Sequence, residues 1–262
     1  MSESSVILEF RGPVAWLTLN RPTDMNALNE DLLLSLQEQM DVVASDDTIR
    51  VLVLTGNGKA FCAGADLKGI LDIVENPDNS APDILSLIED TFNCLNNFPK
   101  PVIAALNGIT LAGGLELAMT ADIVLAAQSC KIGDAHANFG VFPGAGGAVR
   151  LPRLIGGNFA KFLLYTGAIV PAQEFLASGF IKELVPDHQL QDRVQELAQI
   201  MATKSPIGLQ RMKTSIAIGI EKPLDEALTF ELSVLRDHLQ CNDAREGLEA
   251  FTQKRKPVFT GS

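Results

Sequence analysis

Residues 101 to 150 read PVIAALNGITLAGGLELAMTADIVLAAQSCKIGDAHANFGVFPGAGGAVR. The run PVIAAL is apolar and β-branched enough for a buried strand, and Asn107-Gly108 breaks it. Leu111-Ala112-Gly113-Gly114 then lets a helix begin, with Glu116 in its first turn. A second strand and a second glycine-rich turn follow. Glycines at a helix start let a ligand approach bare backbone N–H groups at the positive end of the helix dipole. Such a place suits a negatively charged oxygen. Glu116 lies three residues beyond Gly113, about one turn along the same helix, so its carboxylate can face the same pocket. An anion-stabilising donor and an acid/base group arrive together, which makes this stretch the candidate active site.

Glu116 stands in an otherwise apolar helix, where an unpaired carboxylate is costly to bury. The plain alternative is a glutamate paired to an arginine or placed at a pocket edge. Several other chemistries are excluded outright. The chain has no GxSxG nucleophile elbow, no GxxxxGK phosphate loop, and no HExxH or paired Cys/His metal spacing, so no metal site is expected. Gly144-Ala145-Gly146-Gly147 resembles half of a dinucleotide fingerprint, but the third glycine and the following acidic strand are missing.

A chain of 262 residues fits one large domain, or one with a small appendage, and is long enough to bury a core. Hydrophobic residues at 47% and charged residues at 20% are ordinary for a globular protein. A net charge of −11 argues against nucleic acid and against an anionic membrane surface as partners. Residues 102 to 127 are apolar, but Glu116 and Asp122 interrupt them, so they read as core and not as a membrane span. The four cysteines, Cys62, Cys94, Cys130 and Cys241, show no pairing pattern and read as free thiols. The opening MSESSVILEF lacks the charged start and apolar centre of a signal peptide, which leaves the cytoplasm as the expected location.

Along the chain, Val6 to Phe10 and Val14 to Leu19 read as a hairpin, and Asn29 caps a helix running through Leu32, Leu33, Leu36 and Met40. Val51 to Leu54 reads as a short buried strand. A loop then carries Phe61 to Leu67 and continues to a polar, mobile stretch at Asn76 to Ser80. Pro82 opens a helix with apolar positions Ile84, Leu85, Ile88, Phe92 and Leu95. Later, Asn158 to Tyr165 and Pro171 to Ser178 read as helices and Phe180 to Val185 as a strand, and from Gln189 the pattern is helical to about Phe251. Alternating strands and helices finished by helices alone indicate an α/β core with a helical C-terminal part. The division falls at 1–188 and 189–262. Periodicity does not distinguish a spiral from a doubly wound sheet.

Six segments together resemble the crotonase superfamily, the enoyl-CoA hydratase/isomerase family. They are Asn20-Arg21-Pro22 with Asn26-Ala27-Leu28, FCAGADL at 61 to 67, PKPVIAALNG, AGGLELAMTADI, PGAGG at 143 to 147, and EAFTQKRKP near the end. The resemblance implies a spiral of ββα turns with C-terminal helices that build a homotrimer, usually paired into a hexamer. It implies an acyl-CoA thioester as substrate, with coenzyme A present only as part of it and no separate cofactor. It also implies that the backbone N–H groups of Ala65 and Gly113 form an oxyanion hole for the thioester carbonyl. Read from the residues alone, Ala65 and Gly113 are equally well tight-turn positions, and Asp66 is a helix cap. The candidate coenzyme A contacts are Asn26, Ala27, Leu28, Ala63, Asp66, Leu67, Phe251 and Lys254, the last two resembling tail residues that reach the nucleotide end across a subunit boundary. Lys254-Arg255-Lys256 is the densest basic cluster of this acidic chain, although a solvated tail is its plain reading.

One position departs from the family pattern. Counting back from PGAGG, the second catalytic glutamate of typical hydratases falls at residue 136, which is histidine here. Glu116 and His136 are therefore the candidate catalytic pair, and Asp134 is expected to point away from His136. His136 could equally be a neutral wall residue. If it is the acid, the rate falls as it loses its proton above roughly pH 6.5. His188 and His238 read as surface residues. The leading activity is hydration of a 2-enoyl-CoA to a 3-hydroxyacyl-CoA. Thioester or C–C bond hydrolysis, double-bond isomerisation and a non-catalytic acyl-CoA-binding protein are the alternatives.

Overall fold

The computed structural model describes residues 4–76 and 83–262. β1 (Val6–Arg11) and β2 (Val14–Leu19) form the expected antiparallel hairpin, with Val6 opposite Leu19. α1 (Glu30–Ser45) begins where the Asn29 side chain accepts the Leu32 N–H at 3.0 Å, satisfying one of the orphan donors of a helix start. Its Leu32, Leu33, Leu36, Met40 and Val43 recur at helical spacing and are buried.

A ββα unit then repeats. β3 (Val51–Gly56) and β4 (Ala60–Cys62) lead to α2 (Leu67–Glu75) and α3 (Ile84–Asn96). β5 (Val102–Leu106) and β6 (Ile109–Leu111) lead to α4 (Gly113–Ala118). β7 (Ile123–Ala127) and β8 (Lys131–Gly133) lead, through a 3-10 turn at His136–Phe139, to α5 (Arg150–Ile155) and α6 (Gly157–Thr166). β9 (Ile169–Pro171) and β10 (Glu183–Val185) complete the strands.

The first strand of each unit joins a six-stranded sheet ordered β1-β2-β3-β5-β7-β10, and the second joins a four-stranded sheet ordered β4-β6-β8-β9. β3, β5 and β7 pair in parallel, as do β4, β6 and β8, so each unit advances the chain by one strand in both sheets. This is the spiral of ββα turns. β5 is buried at all five positions because the sheet has strands on both sides and helices over it, which explains its unbroken apolar run.

α7 (Leu190–Ala202) packs across β2, β3, β5 and β7 with Leu190, Val194 and Ala198 in the same core, and Trp16 Nε1 donates to Gln195 Oε1 at 2.7 Å. The core thus continues past residue 189. α8 (Pro206–Gly219), α9 (Leu224–His238) and α10 (Asn242–Thr252) follow, with α8 and α9 packed on each other.

Three local expectations need correction. The segment after Phe61 is not one loop, because Asp66 caps α2 within it. Pro171–Ser178 does not start an α-helix. Pro171 ends β9, opposite Lys131 in an antiparallel edge pair where its missing N–H costs nothing, and only a 3-10 turn at Ala172–Phe175 follows. The strand expected at Phe180 begins at Glu183. The polar stretch beyond Asn76 and the helix start at Pro82 lie outside the described residues; from Asp83 onward, the Asp83 carboxylate caps α3 by accepting the Ser86 N–H at 2.8 Å.

Candidate active site

The site lies where β4 and β6 end beside α4. Asn20 to Leu28 wraps this place from outside. Asn26 is wholly buried, accepts the Arg21 N–H at 2.9 Å, and donates to the carbonyls of Asn57, Ala60 and Phe61. Ala63 N–H donates to Met25 O, Leu28 N–H to Gly64 O, and Asp66 N–H to Leu28 O. The backbone on both sides of Ala65 is therefore held, while among the described residues the Ala65 N–H meets no acceptor.

Across from it, Ala112 sits at φ 48° and ψ −122°, a region costly for a residue with a Cβ, and its N–H is tied to Gly133 O at 3.0 Å. That kink brings α4 hard against β4: a Cβ on Gly114 would lie 2.0 Å from Cys62 O. Gly113 N–H, like that of Ala65, meets no acceptor among the described residues, and a Cβ on Gly113 would stand 3.2 Å from Ala65 N. Two uncommitted donors on neighbouring segments make a site for one oxygen carrying negative charge.

Glu116 is buried one turn into α4. Among the described residues no arginine pairs with it. Its Oε1 accepts the backbone N–H groups of Ala145 at 2.9 Å and Gly147 at 2.7 Å, so the PGAGG turn is the clamp that holds the carboxylate. Only glycine fits at 147, where a Cβ would fall 2.8 Å from Asp134 Oδ2 and 3.1 Å from Glu116 Oε1. Oε2 is left facing His136, whose Nε2 lies 3.9 Å away. That gap is too long for a hydrogen bond and suits a bridging water.

Asp134 does not point away from His136. Its Oδ1 lies 3.0 Å from His136 Nδ1 and accepts the His136 N–H at 3.4 Å. Residues two apart share a face even in an extended segment, and here Ala135 at φ 61° turns the chain so that both side chains converge on Glu116. Burial raises the Glu116 carboxyl above the ordinary glutamate range, against the lowering effect of the Gly147 N–H and of His136. Burial also pushes the imidazolium of His136 down, but the hydrogen bond and charge of Asp134 with the charge of Glu116 outweigh it, and the net shift is upward.

A sequence model described as enoyl-CoA hydratase/isomerase matches residues 9–262. The chain belongs to the enoyl-CoA hydratase/isomerase family. It is 35% identical to the crotonyl-CoA hydratase of Syntrophomonas wolfei over 99% of both chains, and 39% identical to the 1,2-epoxyphenylacetyl-CoA isomerase of Escherichia coli over 95% of both. Its structure is similar to a crystal structure of enoyl-CoA hydratase from Bacillus anthracis, with a TM-score of 0.90 and 37% identity, covering 98% of this chain and 100% of that one.

In this member of the enoyl-CoA hydratase/isomerase family the residues expected to touch coenzyme A separate into three groups. Asn26 and Leu28 are fully buried and serve the backbone around Ala65, with Ala27 O tied to Arg21 Nη1 between them. Ala63, Asp66 and Leu67 flank the two donors; Asp66 caps α2 through the Lys68 N–H and pairs with Arg21 at 3.3 Å, while Leu67 is exposed. Phe251 is 83% exposed at the end of α10, and Lys254 just beyond it is exposed as well. Among the described residues nothing bonds these two to the site. Arg255 is held by Glu246 at 2.6 Å, so of the basic cluster Lys254 and Lys256 remain without an ion pair among the described residues. His188 is exposed and His238 is half-buried, with its Nδ1 3.6 Å from Cys241 Sγ.

The sequence reading missed three contributors. Asp134, Ala145 and Gly147 act on His136 and Glu116 from 2, 29 and 31 residues away. The Asp-x-His spacing was the one visible signal for the first. The PGAGG turn announced the other two only as a turn.

Proposed function

We propose that the protein hydrates a 2-enoyl-CoA thioester to a 3-hydroxyacyl-CoA. The observation that carries this reading is the 3.9 Å gap between Glu116 Oε2 and His136 Nε2, beside the two uncommitted N–H groups of Ala65 and Gly113. The thioester oxygen accepts from both donors. Glu116 takes a proton from a water in the gap as its oxygen adds to the β-carbon, and the electron pair of the double bond moves to an enolate whose oxygen those donors stabilise. His136 then gives its Nε2 proton to the α-carbon. The proton on Glu116 returns to His136 through the next water, and the sum is one water added. Written this way, the reaction needs only protein groups, water and the thioester itself. The crotonyl-CoA hydratase among its relatives supports the same substrate class.

Isomerisation is the second reading, favoured by a family described as enoyl-CoA hydratase/isomerase and by a site whose two groups can carry a proton between carbons. Ala63, Asp66 and Leu67 together with Phe251 and Lys254 are the residues we assign to coenzyme A, and the assembly we infer is a homotrimer or a dimer of trimers. The four free cysteines suit the cytoplasm. Incubating the protein with a panel of enoyl-CoA thioesters and reading products by mass spectrometry tests the assignment. Gain of one water with coenzyme A retained is expected. A product of unchanged mass with a moved double bond would establish the isomerase, and free coenzyme A would establish a hydrolase.

A further inference from the structure

The position that departs from the family pattern is not an isolated histidine. Asp134, 1% exposed, closes on His136 twice, through the ring Nδ1 and through the backbone N–H. The 3-10 turn that begins at His136 is fixed at its far side, where Asn138 Nδ2 donates to Gly167 O at 2.9 Å, so the ring is held by a bonded frame. A buried carboxylate that accepts from Nδ1 leaves Nε2 as the nitrogen directed at Glu116.

We propose that Asp134 is a positioning residue, which fixes the proton of neutral His136 on Nδ1, stabilises the charged ring, and presents Nε2 across the water gap to Glu116. The inference rests on the hydration reading only for what His136 then does. It makes the two acid/base groups unequal: Glu116 is the resting base and His136 the resting acid, because only the histidine has a buried counter-charge of its own. Asp134 gains no proton at any step. The charged groups that reach the ring are Asp134 from the same loop and Glu116 from α4; α6, packed against the turn, carries Lys161 and Tyr165, both exposed to solvent.

The test combines nitrogen NMR of histidine-labelled protein with a pH–rate profile, in wild type and Asp134→Asn. The chain has 3 histidines, and His136→Gln assigns the signal. Expected in wild type is a neutral tautomer protonated at Nδ1 and a titration above the ordinary imidazole value. In Asp134→Asn the titration should move to lower pH, the alkaline limb of kcat/KM should follow it, and kcat should fall by about 10²-fold or more with KM nearly unchanged. A wild-type ring protonated at Nε2 when neutral, or an unmoved titration in the variant, would overturn the proposal. Should Asp134→Asn fail to fold, the wild-type tautomer alone decides. NMR results as expected beside a wild-type profile with no alkaline limb would uphold the positioning and sink the hydration acid instead.

Discussion

Glu116 and His136 are both shifted upward in pKa, but burial thereby disfavours the charged form of Glu116 while Asp134 and Glu116 favour the charged form of His136. Burial raises the carboxyl of Glu116, so activity should climb with pH through a value above the ordinary glutamate range as the base ionises. Asp134 and Glu116 raise His136, so activity should fall only above the roughly 6.5 of a free imidazole as the acid is lost. The expected profile of kcat/KM is a bell with both limbs displaced upward. Glu116→Gln keeps an oxygen for the Ala145 and Gly147 donors but cannot take a proton. It should cost about 10²- to 10⁴-fold in kcat and abolish the acid limb. An unchanged kcat on the best substrate would reduce Glu116 to a structural group. Glu116 was legible in the sequence as a charge in an apolar helix. Its partners were not, since a carboxylate held by two backbone N–H groups far along the chain leaves no side-chain signature, and the φ of Ala135 that turns Asp134 toward His136 belongs to a residue type that does not advertise it.

At the scale of elements, the first turn of α4 and the end of β4 have to meet without side chains between them. Ala112 bears the backbone strain and Gly114 the closest approach, while Gly113 lies tight against the backbone of Gly64 and Ala65. In Gly113→Val the Cβ would meet the backbone N of Ala65 at 3.2 Å, so that backbone has to yield by a few tenths of an ångström, and the methyl groups would occupy the space of the thioester oxygen. A loss of about 10²- to 10³-fold in kcat is expected in a protein that still folds with a lowered melting temperature, and circular dichroism checks the fold beside the rate. Near wild-type turnover would put the oxyanion hole elsewhere. The strands and caps that frame this junction were readable from local chemistry: the β1–β2 hairpin, the Asn29 cap and the buried run of β5 stand where propensity places them. Pro171 was misread because its pairing with Lys131 is made 40 residues away in sequence, and tertiary pairing overrode a local helix signal. The two-sheet spiral lies beyond periodicity for the same reason. A strand of three residues such as β4, β6 or β8 shows no period at all.

For the whole molecule, the unresolved balance is between a compact core and an apolar exterior on the C-terminal helices. Along α9, Leu224, Leu228, Leu232 and Leu235 are 74%, 54%, 47% and 49% exposed, and Ile216 of α8 and Ile220 just beyond its end are exposed too. Spacing of three and four residues places the α9 leucines on one face, and a chain with so large a stripe is ordinarily covered by another subunit. A second copy of the chain is the occupant we infer for this stripe, since most oligomers join identical subunits. Full burial of an exposed leucine contributes roughly 1.5–3 kcal/mol, and these four keep about half of their surface to bury, so the stripe supplies part of what an assembly needs and the rest comes from the surfaces around it. Light scattering should accordingly report a trimer or hexamer. Leu228→Glu with Leu232→Glu, adjacent turns of the same stripe, should shift it toward monomer while leaving the helical spectrum intact, because glutamate keeps helix propensity but resists burial. If Phe251 and Lys254 meet the coenzyme A of a neighbouring subunit, the same variant should raise KM for the thioester more than it lowers kcat. A monomeric wild type at micromolar concentration would refute the assembly, and a monomeric variant with unaltered KM would return Phe251 and Lys254 to the site of their own chain.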